Sequence, residues 1–225
     1  MKTFAPKMVL FDLDGTLIDS VPDLAYCVDE MMKLLDMPVR GEAAVRNWVG
    51  NGVERLVERA LTNDLNGKPD AVLFARAMPI FNQLYLNNTS DRSFLFPGVK
   101  EGLEHVKSLG LRMGCVTNKA ERFTVPLLKD LGVLDAFETV ISGDTLPVKK
   151  PDPGPLFYAA GWFHCAPHEA LMVGDSISDV KAARAAGFNI VCMSYGYNHG
   201  EDIRNYHPDA VIDSMVELKE LVKPS

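Results

Sequence analysis

MVLFDLDGTL, residues 8–17, joins a short apolar run to two acidic residues and a glycine. Its first four residues are apolar, which is the length and composition of a buried strand. Two carboxylates, Asp12 and Asp14, follow at once, and Gly15 then permits a sharp turn. In parallel α/β sheets, ligands bind at the carboxyl ends of the strands. This stretch therefore predicts both a central strand and the place to look for a site.

Similar apolar runs recur along the chain and alternate with segments of helical periodicity. The predicted strands are 8–11, 112–116, 139–141, 171–173, 190–193 and 210–212. After Gly98 the predicted helices are 99–109, 123–131, 156–163, 180–186 and 215–222. Strands that alternate with helices predict a parallel, Rossmann-like α/β sheet with helices on both faces.

The long interval between the first two predicted strands breaks this alternation, because residues 12–111 are far more than one crossover helix needs. Helical spacing within it predicts helices at 22–35, 43–49, 53–62 and 71–85. We therefore expect an α-helical cap domain (residues 19–95) inserted into a Rossmann-like core (residues 1–18 and 96–225).

Composition excludes several classes of protein. Of the 225 residues, 47% are hydrophobic and 24% charged, which is enough apolar material for a large core. Thirty acidic against 23 basic side chains give a net charge of −7, and no basic cluster is present, so nucleic acid is not an expected partner.

Membrane insertion and secretion are not expected either. No apolar run approaches the roughly 18 residues that span a bilayer, and the first ten residues lack the apolar core of a secretion signal. The sequence separates Cys27, Cys115, Cys165 and Cys192 widely, without paired spacing. We expect free thiols and a cytoplasmic location.

Polar clusters fall at or just after four predicted strand ends. They are 12–16 (DLDGT), 117–119 (TNK), 149–151 (KKP) and 174–179 (GDSISD). Taken singly, these residues have ordinary explanations as helix caps, turns or solvated lysines. Sequences that begin like a nucleotide-binding loop or a nucleophile elbow, at Gly50 and Gly174, lack a required glycine.

Together the clusters pose an electrostatic problem. Asp12, Asp14 and Asp175 would meet in one crevice, and two like charges 4 Å apart repel by about 4 kcal/mol at an effective dielectric near 20. A hard divalent cation resolves this repulsion, and Mg²⁺ is the ion that also bridges to phosphate. On the other side of the crevice, Thr117, Asn118 and Lys150 would add hydrogen-bond donors and a positive charge. This inventory predicts a site for a phosphoryl group.

These four motifs, in this order, resemble those of the haloacid dehalogenase-like hydrolase superfamily: FDLDGTL (11–17), VTNK (116–119), KKP (149–151) and GDSISD (174–179). The resemblance covers the whole chain, and the helical insertion after the first motif resembles the superfamily's cap. It implies that Asp12 is the nucleophile and that Asp14 is the general acid and base.

The resemblance also implies the ligand roles. Mg²⁺ would be held by the Asp12 and Asp175 side chains and the Asp14 backbone carbonyl, with Asp179 orienting a bound water. Phosphate would be bound by Thr117, the Asn118 amide and Lys150. The presence of Asp14 argues against a dehalogenase, which needs no leaving-group acid.

Within the superfamily, the segments 48–61, 94–99, 149–156 and 194–200 are similar to those of bacterial members that hydrolyse 2-phosphoglycolate. A related capped phosphatase or phosphomutase acting on another small phosphate ester, such as a sugar phosphate, is the alternative. A catalytically silent phosphate-binding protein is a third possibility. For the substrate carboxylate, Arg59 and the turn 50–52 are candidate donors, although Arg59 also fits a solvated helix face.

Overall fold

A computed structural model describes residues 2–224; residues 1 and 225, the outermost positions of the predicted core, lie outside the described residues. In chain order the strands are β1 (Met8–Phe11), β2 (Ile18–Asp19), β3 (Phe94–Leu95), β4 (Arg112–Val116), β5 (Thr139–Ile141), β6 (Ala170–Gly174), β7 (Asn189–Met193) and β8 (Ala210–Ile212). Within residues 2–224, six of them form one parallel sheet in the order β5-β4-β1-β6-β7-β8.

The helices complete the alternation. In chain order they are α1 (Val21–Leu34), α2 (Glu42–Arg46), α3 (Val53–Thr62), α4 (Ala71–Asn87), α5 (Val99–Ser108), α6 (Glu121–Asp130), α7 (Gly154–Phe163), α8 (Ile177–Ala186) and α9 (Leu218–Leu221). The predicted fold class, a parallel Rossmann-like sheet with an inserted helical segment, is confirmed.

Strand β1 lies in the middle of the sheet and is buried on both faces. Met8 and Leu10 pack among residues of α7 and α8, whereas Val9 and Phe11 pack among residues of α5, α6 and α9. Successive strand side chains point to opposite faces, so a run of four apolar residues is what a doubly covered strand requires. The residue after Phe11 therefore emerges at the centre of the sheet's carboxyl edge.

Helices α1 to α4 form a second apolar cluster between β2 and β3. Their inward faces pack around Phe81 and Tyr85, and the same cluster includes Phe123 of α6 and Tyr197 of the loop after β7. Phe123 and Tyr197 belong to the sheet-bearing part of the chain. The inserted helices are therefore seated on the carboxyl edge of the sheet.

A short antiparallel ladder joins the two parts. Ile18 pairs with Leu95 and Asp19 with Phe94, so the chain leaves and re-enters the core side by side. Sequence analysis missed both strands, because two residues are too few to show a periodicity. The boundaries of the predicted core (1–18, 96–225) and cap (19–95) lie at this ladder, and the division into two domains stays a proposal.

The other predicted elements agree with the structure to within a few residues, with one exception. The predicted helix 215–222 is a 3₁₀ turn, Met215–Glu217, followed by α9. Glu217 folds back to accept hydrogen bonds from the N–H groups of Asp213 and Ser214, which forms a capping box at the start of the turn.

Neither a membrane-spanning helix nor a paired cysteine is present among the described residues. Among residues 2–224, no helix is both long and apolar enough to span a membrane. The four cysteines lie within the described residues and are unpaired, three of them buried.

A buried carboxylate fastens the entry of the insertion to its exit. Asp23, in the first turn of α1, has no solvent exposure. It accepts hydrogen bonds from the backbone N–H groups of Arg92 and Ser93 and from the Ser93 hydroxyl, at 3.0, 2.8 and 2.6 Å. Because these donors lie just before β3, Asp23 sets the path of the returning chain.

We expect Asp23→Asn to lower the free energy of unfolding by about 3 kcal/mol, because a neutral amide accepts these buried hydrogen bonds poorly and adds donors without acceptors. Denaturant titration measures the change. The exposed Asp135→Asn provides the matched control and should change stability by less than about 0.5 kcal/mol. A loss in Asp23→Asn no larger than in this control would contradict the assignment.

Candidate active site

The two aspartates that follow β1 lie in one cleft at the carboxyl edge of the sheet. The backbone N–H of Asp12 donates to the carbonyl of Val173, which continues the pairing of β1 with β6 for one more residue. Leu13 is fully buried and anchors the segment between the two aspartates. Asp12 and Asp14 both line the cleft, so the segment that follows β1 places two carboxylates in the same cleft.

Asp12 belongs to a cluster of three buried carboxylates. One oxygen from each of Asp12, Asp175 and Asp179 lies within 4.8 Å of the others. The meeting of Asp12 with Asp175 is the arrangement expected from the sequence. The third member differs from that expectation: it is Asp179, because the Asp14 carboxylate is turned towards Lys119 and Ser20.

The only ammonium group that contacts this cluster, among the residues described, is that of Lys150. Its Nζ lies 2.7 Å from an oxygen of Asp12 and 2.7 Å from one of Asp179, and it also donates to the carbonyl of Val116 at 2.7 Å. These three acceptors use all three of its N–H donors. Burial acts to lower the pKa of Lys150, but its two carboxylate partners outweigh this effect and raise the pKa.

In this cluster, three carboxyl groups therefore share one ammonium group. Burial raises the pKa of Asp12 to about 7, with Lys150 opposing the rise and Asp179 adding to it. Burial, together with the charges of Asp12 and Asp179, raises the pKa of Asp175 well above its ordinary value. A compact set of carboxylate oxygens with a net negative charge is the donor set that suits a hard divalent cation.

Asp175 is held rigidly at the end of β6. Its two oxygens accept hydrogen bonds from the Thr16 hydroxyl at 2.8 Å and from the Tyr197 N–H at 2.6 Å. Two glycines allow the chain to approach this carboxylate. A Cβ on Gly15 would lie 2.4 Å from its Oδ2, and one on Gly196 would lie 2.1 Å from its Cβ.

Asp179 is both a helix cap and a positioning group. One of its oxygens accepts from the N–H groups of Asp175 and Ser176 and from the Ser176 hydroxyl, which closes the capping box at the start of α8. The other oxygen accepts from Lys150. These donors explain why Asp179 lies beside the other carboxylates despite the repulsion, and its predicted role in orienting a metal-bound water stays a prediction.

The predicted phosphate-binding residues line the same cleft. Thr117 and Asn118 follow β4, and Lys150 reaches them from the loop after β5. The Asn118 side chain donates to the carbonyls of Lys150 at 2.9 Å and Gly50 at 3.1 Å, so it ties two core loops and the insertion together. Within residues 2–224 the Asn118 backbone N–H has no hydrogen-bond acceptor, which leaves it available to a ligand.

Comparison with known proteins decides the family. Residues 6–187 match the family model of the haloacid dehalogenase-like hydrolases. The chain belongs to the haloacid dehalogenase-like hydrolases. The resemblance stated from the four motifs is thereby confirmed.

Individual relatives are similar over nearly their whole length. The chain is 63% identical over 217 residues to a phosphoglycolate phosphatase of Nitrosococcus oceani, covering 96% of each protein. It is 47% identical over 216 residues to a phosphoglycolate phosphatase of Thiobacillus denitrificans, covering 96% of this chain and 95% of the relative. Among solved structures, a predicted phosphoglycolate phosphatase from Haemophilus somnus 129PT has 35% identity and a TM-score of 0.90, covering 98% of each chain.

In this haloacid dehalogenase-like hydrolase, the insertion closes the cleft from above. Leu24, Val49, Gly50, Gly52, Val53 and Leu56 line it opposite the core. The space left between the insertion and the core is narrow, with a cavity volume of about 40 Å³.

Arg59, a candidate donor for a substrate carboxylate, does not reach the cleft. Its guanidinium donates to the carbonyls of Trp48 and Leu65 and to the side chain of Asn51, all within the insertion. The alternative of a solvated helix face is also wrong, because only 6% of Arg59 is exposed. Its role is to hold the turn 50–52 against α3.

Lys119 also lies in the cleft. It belongs to the VTNK motif, but the sequence predicted no role for it. It is 5% exposed and lines the cleft. Its Nζ donates to both oxygens of Asp14, at 3.0 and 3.1 Å, while the Ser20 hydroxyl donates to one of them at 2.5 Å. The ring of Tyr85, on α4, lies 4.9 Å from this Nζ. Nothing in the sequence distinguishes this lysine from a solvated one.

We expect Gly196→Ala to weaken divalent-cation binding at least about tenfold, because the new methyl group would displace Asp175. Calorimetric titration with Mg²⁺ measures the affinity. Gly161→Ala on α7 is the matched control, since a Cβ there meets open space. Equal affinities in the two variants would show that Asp175 tolerates displacement or does not hold the ion.

Proposed function

We propose that this chain is a Mg²⁺-dependent phosphatase that hydrolyses 2-phosphoglycolate to glycolate and phosphate through an aspartyl-phosphate intermediate. The observation that carries the proposal is the different surroundings of two carboxylates at the end of one strand. Asp12 lies among Asp175, Asp179 and Lys150, whereas Asp14 lies across the cleft with Lys119 and Ser20. Identity of 63% to a named phosphoglycolate phosphatase supports the choice of substrate.

In the first step, a carboxylate oxygen of Asp12 attacks phosphorus, and the bond from phosphorus to the glycolate oxygen breaks. Asp14 gives its proton to that departing oxygen. The two roles require two carboxylates on opposite sides of the phosphoryl group, and both line the cleft. Thr117, the free N–H of Asn118 and the charge of Lys150 stabilise the phosphoryl oxygens as charge develops on them.

In the second step, water attacks the phosphorus of the aspartyl phosphate and displaces the Asp12 carboxylate. Asp14, now ionised, takes the proton of that water and returns to its starting state. Ser20 and Lys119 hold the Asp14 carboxylate in place throughout. The insertion over the cleft keeps other water away from the intermediate.

The carboxylate cluster fits a magnesium ion. Asp12, Asp175 and the backbone carbonyl of Asp14 would hold it, with Asp179 orienting a bound water. When bound, Mg²⁺ supplies the positive charge that lets an anionic phosphate approach the Asp12 carboxylate. The excess of buried negative charge around Asp12 and Asp175 supports this assignment.

The proposal extends to location and partners. The partner is a small phosphate ester, and the free, largely buried cysteines suit a reducing cytoplasm. The negative net charge of −7 is unsuited to nucleic acid.

The substrate is tested with purified protein and a panel of phosphate monoesters that includes 2-phosphoglycolate, sugar phosphates and pyrophosphate. We expect the highest kcat/KM for 2-phosphoglycolate, with turnover lost on chelation and restored by Mg²⁺. A higher kcat/KM for another ester would replace the substrate, and an isomerised rather than dephosphorylated product would indicate a phosphomutase. No phosphate release from any ester would refute the phosphatase assignment.

The nucleophile is tested by Asp12→Asn. We expect kcat to fall at least about 10³-fold, because the neutral amide cannot form the intermediate. Circular dichroism should show an intact fold, and Asp135→Asn should keep full activity. A surviving rate in Asp12→Asn would mean that another group attacks phosphorus.

The role of Asp14 is tested by Asp14→Asn with p-nitrophenyl phosphate, whose leaving group needs no proton. We expect a rapid burst of one p-nitrophenolate per enzyme followed by slow turnover, because only the second step then lacks its base. Stopped-flow absorbance measures the burst. With 2-phosphoglycolate the first turnover should itself be slow, and a slow first turnover with both esters would contradict the assignment.

A further inference from the structure

A substrate with two anionic ends needs two centres of positive charge. In 2-phosphoglycolate, the carboxylate carbon lies two bonds beyond the ester oxygen that Asp14 would protonate. The phosphate end would be served by the charge of Lys150 and by hydrogen bonds from Thr117 and the Asn118 N–H. A cation for the carboxylate must therefore lie close to Asp14, on the side away from Asp12.

The cationic side chains near the cleft differ in whether they can serve this end. Lys150 contacts Asp12 and has its three donors occupied. Arg59 is committed to acceptors within the insertion. Lys149 is exposed beside Gly52 at the edge of the cleft. Lys119 is the one in this set that is buried, lines the cleft and contacts Asp14.

The contacts of Lys119 leave it a free donor. An ammonium group has three N–H donors, and the two oxygens of Asp14 are the only hydrogen-bond acceptors of its Nζ within residues 2–224. The ring of Tyr85 lies 4.9 Å from the same Nζ. This ring screens the ammonium from water, which strengthens its attraction to an anion in the cleft.

We propose that Lys119 binds the carboxylate of 2-phosphoglycolate and thereby determines substrate specificity, an inference that rests on the proposed function. Lys119 is then shared between Asp14 and the substrate carboxylate, while Ser20 retains its hydrogen bond to Asp14. The insertion contributes through Tyr85 of α4, whose ring lies over the Lys119 ammonium group.

The test compares 2-phosphoglycolate with 2-phosphoglycolamide, its neutral amide of nearly the same shape, in the wild type and in Lys119→Met and Lys119→Gln. We expect both variants to lose about 10- to 100-fold in kcat/KM for the acid relative to the amide, because a charge-assisted hydrogen bond is removed. Because Lys119 also holds Asp14, both variants should lose turnover of the amide as well, and the inference concerns the additional loss for the acid. Lys129→Met, on the exposed end of α6, is the matched control and should leave both substrates unchanged.

The outcomes separate the possible roles. Equal losses for the acid and the amide in both variants would overturn the inference and make Lys119 a residue that acts only through Asp14. If Lys119→Met does not fold, Lys119→Gln alone decides between these results. A wild-type enzyme that does not hydrolyse 2-phosphoglycolate would overturn the proposed function and this inference with it, whereas a wild type that hydrolyses it but prefers the amide would overturn the inference alone.

Discussion

Three buried carboxylates repel one another at the carboxyl edge of the sheet, and the surrounding fold offsets this repulsion. Asp12, Asp175 and Asp179 are held within 4.8 Å of one another although each would be better solvated apart. They stay together because the parallel sheet brings the ends of β1 and β6 side by side, and because Lys150 and the start of α8 neutralise part of the charge. This excess of carboxylate groups is the donor set that suits a hard cation.

The core and the insertion are also in contact at the cleft. Asp12 and Lys150 are both buried there, and burial strengthens the attraction between their charges. The insertion covers them with apolar residues, and Asn118 of the core donates to the Gly50 carbonyl of the turn opposite. The cleft is therefore lined by residues of both parts of the chain.

Much of the fold could be predicted from the sequence, because a doubly covered parallel sheet leaves short apolar runs with turn residues between them. β1 and β4 were predicted with the bounds they have, and the carboxylates that follow β1 and β6 were placed together. The pairing of β2 with β3 could not be predicted, because it depends on two residues in each strand. The hydrogen-bond partners of Lys119 and Arg59 could not be predicted either, since tertiary contacts rather than sequence neighbours decide whether a cationic side chain is buried.

The ladder between β2 and β3 allows insertions of different length to be joined to the same core. Because the chain leaves and re-enters the core through two paired strands, the insertion is a loop whose ends, residues 18 and 95, lie side by side. The entropic cost of closing a loop rises only slowly with its length. If a helical segment of another size joined the same two strands, the pairing of the six-stranded sheet would be unchanged. The carboxylates and Lys119 lie outside this loop, so its length can differ without altering the segments that carry them.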